Sequence, residues 1–179
     1  MNLTVGVTGH RDLLEAEKPD LKKQVRAFFL RLRQQFPSLD LQLISPLAEG
    51  ADQLAVEIAC ELGIELYAVL PMSEEDYKKD FDKKEVAEKF NQLLATAAHR
   101  RTLTDLNPKI QRELCYANVG KWVVDQCAVL IALWDGNQNE LMGGTGEIVH
   151  YALSGELPSL EQHLHNKDWI PLRRPVVHI

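Results

Sequence analysis

LTVGVTGHRD, residues 3–12, is an apolar run that breaks into a polar loop carrying Gly9, His10 and Arg11. Leu3 to Thr8 reads as a strand. Pro19 to Phe36, with Leu21, Val25, Phe28, Phe29 and Leu32 at helical spacing, reads as a helix. The same junction recurs twice, as SPLAEGADQLA at 45–55 and WDGNQNELMGGTGE at 134–147, each after an apolar run and before a helix-like one. In a parallel α/β sheet such loops lie at the carboxyl ends of the strands, where helix N-termini point unpaired N–H groups and partial positive charge into one crevice. Three of them in one short chain read as a site for a phosphate-rich ligand.

Outward from these loops the alternation continues. Leu39–Ser45 and Glu65–Leu70 read as strands, with a helix from Gly50 to Leu62 between them, stopped by Gly63. The charge-dense stretch from Ser73 to Arg101 predicts one surface helix whose apolar face is Phe81, Val86, Phe90, Leu93 and Leu94. A short strand at Arg101–Leu106, a helix at Ile110–Gln126 and the strand AVLIALW at 128–134 follow. Glu147–Leu153 continues as helix, SGELPSLEQHLHNKD as loop, and Trp169–Ile179 as an extended segment ending in a buried strand, VVHI. The expected fold is α/β, a doubly wound, mostly parallel Rossmann-like sheet flanked by helices. It is expected to form one domain over residues 1–179, of a kind suited to be the N-terminal module of a longer protein.

The 179 residues, 45% of them hydrophobic, are enough for one substantial core. Cys60, Cys115 and Cys127 form no CxxC pair and sit in apolar patterns, as reduced core residues of a cytoplasmic protein do. No apolar run approaches the length of a membrane span, so no membrane contact is expected. A net charge of −6 and a pI near 5.5 oppose counterion-releasing association with nucleic acid, and no nucleic-acid partner is expected.

Within the loops, Thr8 and Gly9 end the first strand, and His10 and Arg11 supply hydrogen-bond donors where an anion would sit. In the second loop, Glu49, Gly50, Ala51 and Asp52 start a helix. Asp52 is placed either to cap it or to accept a ribose hydroxyl, and Glu49 is placed for the same contact. In the third, Gly143, Gly144, Thr145 and Gly146 offer backbone N–H groups for a phosphate, and Glu147 falls in the first helical turn. That carboxylate either complements the helix dipole or acts as an acid or base. Pro71, Asp135, Gly136 and Tyr77 lie near strand ends, Tyr77 as a stacking surface for a base. His163 and His165, neighbours in a polar loop, read as solvated, and no histidine has metal spacing, so no metal is expected.

Taken in order, VTGHRDL, SPLAEGADQLA, VLPMSEEDY, YANVGKWVVDQ and ALWDGNQNELMGGTGE resemble the SLOG superfamily, closest to its bacterial sensor modules, over roughly residues 3–155. That Rossmann-like group includes the LOG-type nucleotide phosphoribohydrolases and the DNA-processing protein A family. The resemblance implies a nucleotide or NAD-derived ligand, such as an ADP-ribose derivative. It also implies a homo-oligomeric sensor, attached to or associated with an effector of antiphage defence, with no further cofactor. LOG enzymes carry PGGxGTxxE; here Glu147 is two residues after Thr145 and Ile148 takes the place of the catalytic Glu, a displacement of about 100° around a helix. SPLAEGAD is similar to the SGLARGID stretch of the DNA-processing family, with Glu49 in place of its Arg. Three functions are carried forward: a ligand sensor, an N-glycosidic-bond-cleaving enzyme using Glu147 or Glu49, and a single-stranded DNA-binding module.

Overall fold

In the computed structural model, the described residues are 1–104, 106, 107, 109, 111–137, 142–161 and 173–179, with the side chains of 158 and 161 left aside. The predicted helix start at Ile110, the His163 and His165 pair and the beginning of the Trp169–Ile179 segment lie outside them. The strands are β1 (Asn2–Gly9), β2 (Asp40–Ser45), β3 (Glu65–Leu70), β4 (His99–Thr102), β5 (Val129–Leu133) and β6 (Val176–His178). The helices are α1 (Lys18–Gln35), α2 (Ala51–Glu61), α3 (Glu74–Tyr77), α4 (Lys84–Thr96), α5 (Arg112–Gln126), α6 (Thr145–Ser154) and α7 (Pro158–Glu161).

All six strands pair in parallel in the order β4-β3-β2-β1-β5-β6. The chain winds outward from β1 to β4, then returns to add β5 and β6 on the other side of β1. The direction of winding therefore reverses between β1 and β5, and in open α/β sheets a crevice opens at that point beyond the carboxyl ends of the strands.

Core side chains separate by face. Val25 and Phe29 of α1, Leu54 and Ile58 of α2 and Phe90 of α4 pack on one face of the sheet with Val5, Val7 and Leu43. Leu114 and Val123 of α5, Ile148 and Tyr151 of α6 and Leu160 of α7 pack on the other with Ile44, Val69 and Leu130. A sheet covered on both sides explains the near-continuous apolar runs of β2 and β5. Cys115 and Cys127 are buried and Cys60 half-buried, all three as free thiols.

Four expectations are corrected. The single helix over Ser73–Arg101 is two helices, α3 and α4, with a 3₁₀ turn at Lys78–Asp80 between them. Ser73 caps α3, its hydroxyl accepting the Asp76 N–H at 3.2 Å. Arg112 then grips the turn from α5, its Nε donating to both oxygens of Asp80 at 2.8 and 3.0 Å and a terminal nitrogen donating to the Asp76 carbonyl at 2.5 Å. A continuous helix would remove Asp80 from that grip. The predicted strand at 101–106 is β4 at His99–Thr102, an edge strand with every side chain exposed, so no burial pattern marks it. The segment after α6 contains the short helix α7. The C-terminal strand is β6, but as the other edge it is half-buried at Val176 and Val177 and exposed at His178.

Candidate functional site

β1 delivers Thr8 and Gly9 to the head of the crevice, and the loop beyond is held at both ends. The His10 N–H donates to the Leu133 carbonyl at 3.1 Å, and the His10 carbonyl accepts the Ala51 N–H, the first of α2, at 3.0 Å. The α2 N-terminus is thus partly occupied by the chain itself. Gly50, at φ +80°, makes this possible: a Cβ there would lie 2.2 Å from the Arg11 carbonyl oxygen. Gly9 is likewise a packing glycine, since its Cβ would meet the Ala51 Cβ at 2.4 Å and the Leu133 oxygen at 2.6 Å.

The SPLAEGAD loop carries a conformational strain that sequence does not reveal. Leu47 is fully buried yet has φ +62°, a left-handed conformation costing a branched residue on the order of 1–2 kcal/mol. Its N–H donates to Ser45 Oγ at 3.0 Å and its carbonyl accepts from Gln53 Nε2 at 3.3 Å. These bonds and the core around its side chain hold it there. The outcome is that Asp52 turns back, its Oδ2 accepting the Ala48 N–H at 3.1 Å. Asp52 is 5% exposed and lines the crevice. Burial pushes its pKa up to about 7, against the lowering effects of the Ala48 N–H, Arg11 and Ser45.

From the opposite side, α6 points its N-terminus into the same space. Gly143 sits at φ +70° with its backbone against α5, and its N–H donates to Glu147 Oε2 at 2.6 Å. Glu147 therefore braces its own loop. Gly144, Thr145 and Gly146 line the crevice at the positive end of α6.

The cavity enclosed by these elements measures about 460 Å³, within the roughly 300–1,000 Å³ typical of small-molecule sites. Thr8, Gly9, His10, Arg11, Asp52 and Gly143–Gly146 all line it. The Arg11 guanidinium lies 4.8 Å from the centre of the Tyr116 ring, so a cationic group is held at the rim by an aromatic face.

The remaining candidates fall elsewhere. Glu49 and Gly50 line a neighbouring cavity of about 250 Å³ that shares Arg11 and Asp12 with the first. Ala51 and Pro71 are buried structural residues outside both linings. Asp135 stands beside the crevice, its Oδ1 3.1 Å from His10 Nε2. The Asn137 backbone and side-chain amides, then His10, hold its carboxyl down to about pKa 2. Neither Glu147 nor Glu49 lines the main cavity; among the described residues the carboxylates that do are the buried Asp52 and the exposed Asp12.

Sequence reasoning quoted Tyr116, Val119 and Gly120 of α5 within YANVGKWVVDQ but named none of them as a site residue, and all three line the cavity. Tyr77 also lines it, but its ring is packed edge-on against Phe90 at 5.6 Å and tilted against Phe81 at 5.2 Å, and it is 1% exposed. It is wedged in an aromatic cluster, not laid open as a stacking platform.

No protein-family model matches the sequence, and no curated protein does. Among solved structures, DNA processing protein A from Streptococcus pneumoniae matches at TM-score 0.50 and 17% identity, covering 73% of this chain and 41% of that one. DNA processing protein A from Helicobacter pylori, a structure of its single-stranded DNA binding mode, matches at TM-score 0.50 and 20% identity, covering 75% and 55%. The crystal structure of TM1055 matches at TM-score 0.44 and 11% identity over 97% and 92%. The chain thus has a Rossmann-like fold related to that of DNA processing protein A, and spans about half the length of those two proteins or less.

One expectation is overturned by these neighbours. Nucleic acid was excluded on net charge, yet a protein of this fold binds single-stranded DNA. Net charge averages over the whole surface, whereas a phosphate responds to the few donors within a Debye length of it, about 10 Å at 0.1 M salt. A charge of −6 therefore does not exclude that class of partner. Among the described residues, no helix is long and apolar enough to cross a membrane.

Proposed function

We propose that this chain is a ligand-binding module that takes a nucleotide or NAD-derived signal in the crevice between β1 and β5. The observation that carries the reading is the convergence on one cavity of the α6 N-terminus, at Gly144–Gly146, and of Arg11 on the facing loop. A helix N-terminus and a guanidinium favour the same chemistry, a phosphate or pyrophosphate. The hydrolase reading has less support, because Glu147 is committed to the Gly143 N–H and Glu49 lines the neighbouring cavity. Titration calorimetry with AMP, ADP-ribose and NAD tests the proposal: saturable binding of at least one supports it, and no heat from any of the three overturns it.

A second reading, single-stranded DNA, is supported by the fold shared with the Helicobacter pylori protein. A labelled oligonucleotide that binds with affinity falling steeply between 50 and about 200 mM salt, as phosphate neutralisation requires, would favour it.

A further inference from the structure

Phosphate chemistry accounts for the α6 side of the cavity but not for its other wall. Asp52 lies there, and a carboxylate repels a phosphate. Beside it is Tyr77, 1% exposed, lining the same cavity, with a hydroxyl that makes no hydrogen bond to any described residue. A tyrosine so deeply buried ordinarily finds a partner for its hydroxyl. The two groups sense one another: burial first, then the charge of Asp52, raises the Tyr77 hydroxyl above its ordinary range.

A phenol in this state is a donor, and Asp52 retains acceptor capacity beyond the Ala48 N–H it already takes. The group that satisfies both must donate one hydrogen and accept another. A hydroxyl does both at a single oxygen; a phosphate is repelled, and a base edge needs two separate atoms, a ring nitrogen and an exocyclic amine, for the same pair of bonds. Resting on the binding reading above, we infer that Tyr77 is a specificity-determining residue whose hydroxyl, with the Asp52 carboxylate, engages a sugar hydroxyl of the ligand and selects ribose over 2′-deoxyribose. The phosphate then lies toward Gly144–Gly146 and Arg11, and the sugar toward α2 and α3. The same wall would disfavour the deoxyribose of DNA in this cavity.

Tyr77→Phe isolates the hydroxyl. It keeps the ring and its contacts with Phe81, Phe90 and Tyr116, and no hydrogen bond to a described residue is lost. Wild type and variant are titrated with AMP and with 2′-deoxy-AMP, and their melting temperatures are recorded without ligand. The expected result is that wild type binds AMP about tenfold or more tighter than 2′-deoxy-AMP. The variant should bind AMP about tenfold more weakly, lose most of that preference and melt at or above the wild-type temperature. A variant that keeps both affinity and preference overturns the inference while leaving the binding site in place, as does a variant that loses both ligands equally and melts early. Wild type that binds neither nucleotide overturns the sugar assignment directly; if ADP-ribose and NAD also fail, the binding proposal falls with it.

Discussion

A carboxylate closed off from water at the edge of a cavity makes stability depend on pH in a direction that can be worked out. Asp52 has an unfolded value near 3.8 and a folded value raised to about 7. Its contribution to stability is therefore fully present below the unfolded value and is lost as pH rises through the folded one. Between pH 5 and pH 8 this amounts to about 2–3 kcal/mol. Asp52→Asn keeps an acceptor for the Ala48 N–H but does not ionise, so its melting temperature should gain on wild type by roughly 5–10 °C over that pH span. Parallel melting curves for the two proteins across pH would refute this. Tyr116 offers a simpler case. Its hydroxyl is buried with no partner among the described residues, so Tyr116→Phe should raise stability by about 1 kcal/mol, seen as a rise of about 2–4 °C in melting temperature. At the rim, Arg11 is exposed, and Arg11→Ala should weaken AMP or ADP-ribose binding by roughly 1.5–3 kcal/mol with little change in melting temperature. Unchanged affinity by calorimetry would take this loop out of the site.

At the scale of elements, the two glycines that open α6 do different work. Gly143 is at φ +70° with a Cβ position 2.6 Å from the Ala117 nitrogen, so any side chain there is strained and clashes with α5. Gly144, the N-cap of α6, is at φ −75° and ψ 165°, extended backbone open to any residue. Gly144→Val should therefore fold and melt near wild type, while its added branch stands where a phosphate would approach the helix N-terminus. Loss of the ligand-induced melting shift with an unchanged ligand-free melt is the expected result; a shift that persists would leave this turn a structural one. Elements also explain where sequence reading stopped short. The charged run at 73–90 has helical composition throughout, but Arg112, far along the chain, binds Asp80 and breaks it at a 3₁₀ turn. That break places Tyr77 between α4 and the cavity.

Across the whole molecule, a ligand in the crevice would touch both halves of the winding, the β1–α2 side through Arg11 and Asp52 and the β5–α6 side through Gly144–Gly146. A ligand that binds only the folded chain stabilises it by about 2.7 kcal/mol at a hundredfold excess over its Kd, which for a domain of this size is a rise of roughly 5–10 °C. Differential scanning fluorimetry with AMP and ADP-ribose should show it, and a melt indifferent to saturating ligand would contradict a site spanning the switch point.

The sequence by itself determined the main alternation of strands and helices, the parallel sheet, and the loops that meet at its carboxyl end, though not the break between α3 and α4 or the short α7. Those properties follow from local signals: apolar periodicity, glycines after strands, and caps within a few residues. Gly9, Asp52 and Gly143–Gly146 were legible as candidates for the same reason. Only the tertiary structure decided what each does. Whether Glu147 faces a ligand or its own loop depends on where the Gly143 N–H points, and whether Glu49 or Asp52 enters the main cavity depends on the left-handed turn at Leu47. Arg112 meets Asp76 and Tyr116 meets Tyr77 across 36 and 39 positions of chain, distances over which no periodicity carries information. Side chains that meet only because the chain winds back across the sheet leave no mark in the stretch of sequence around them.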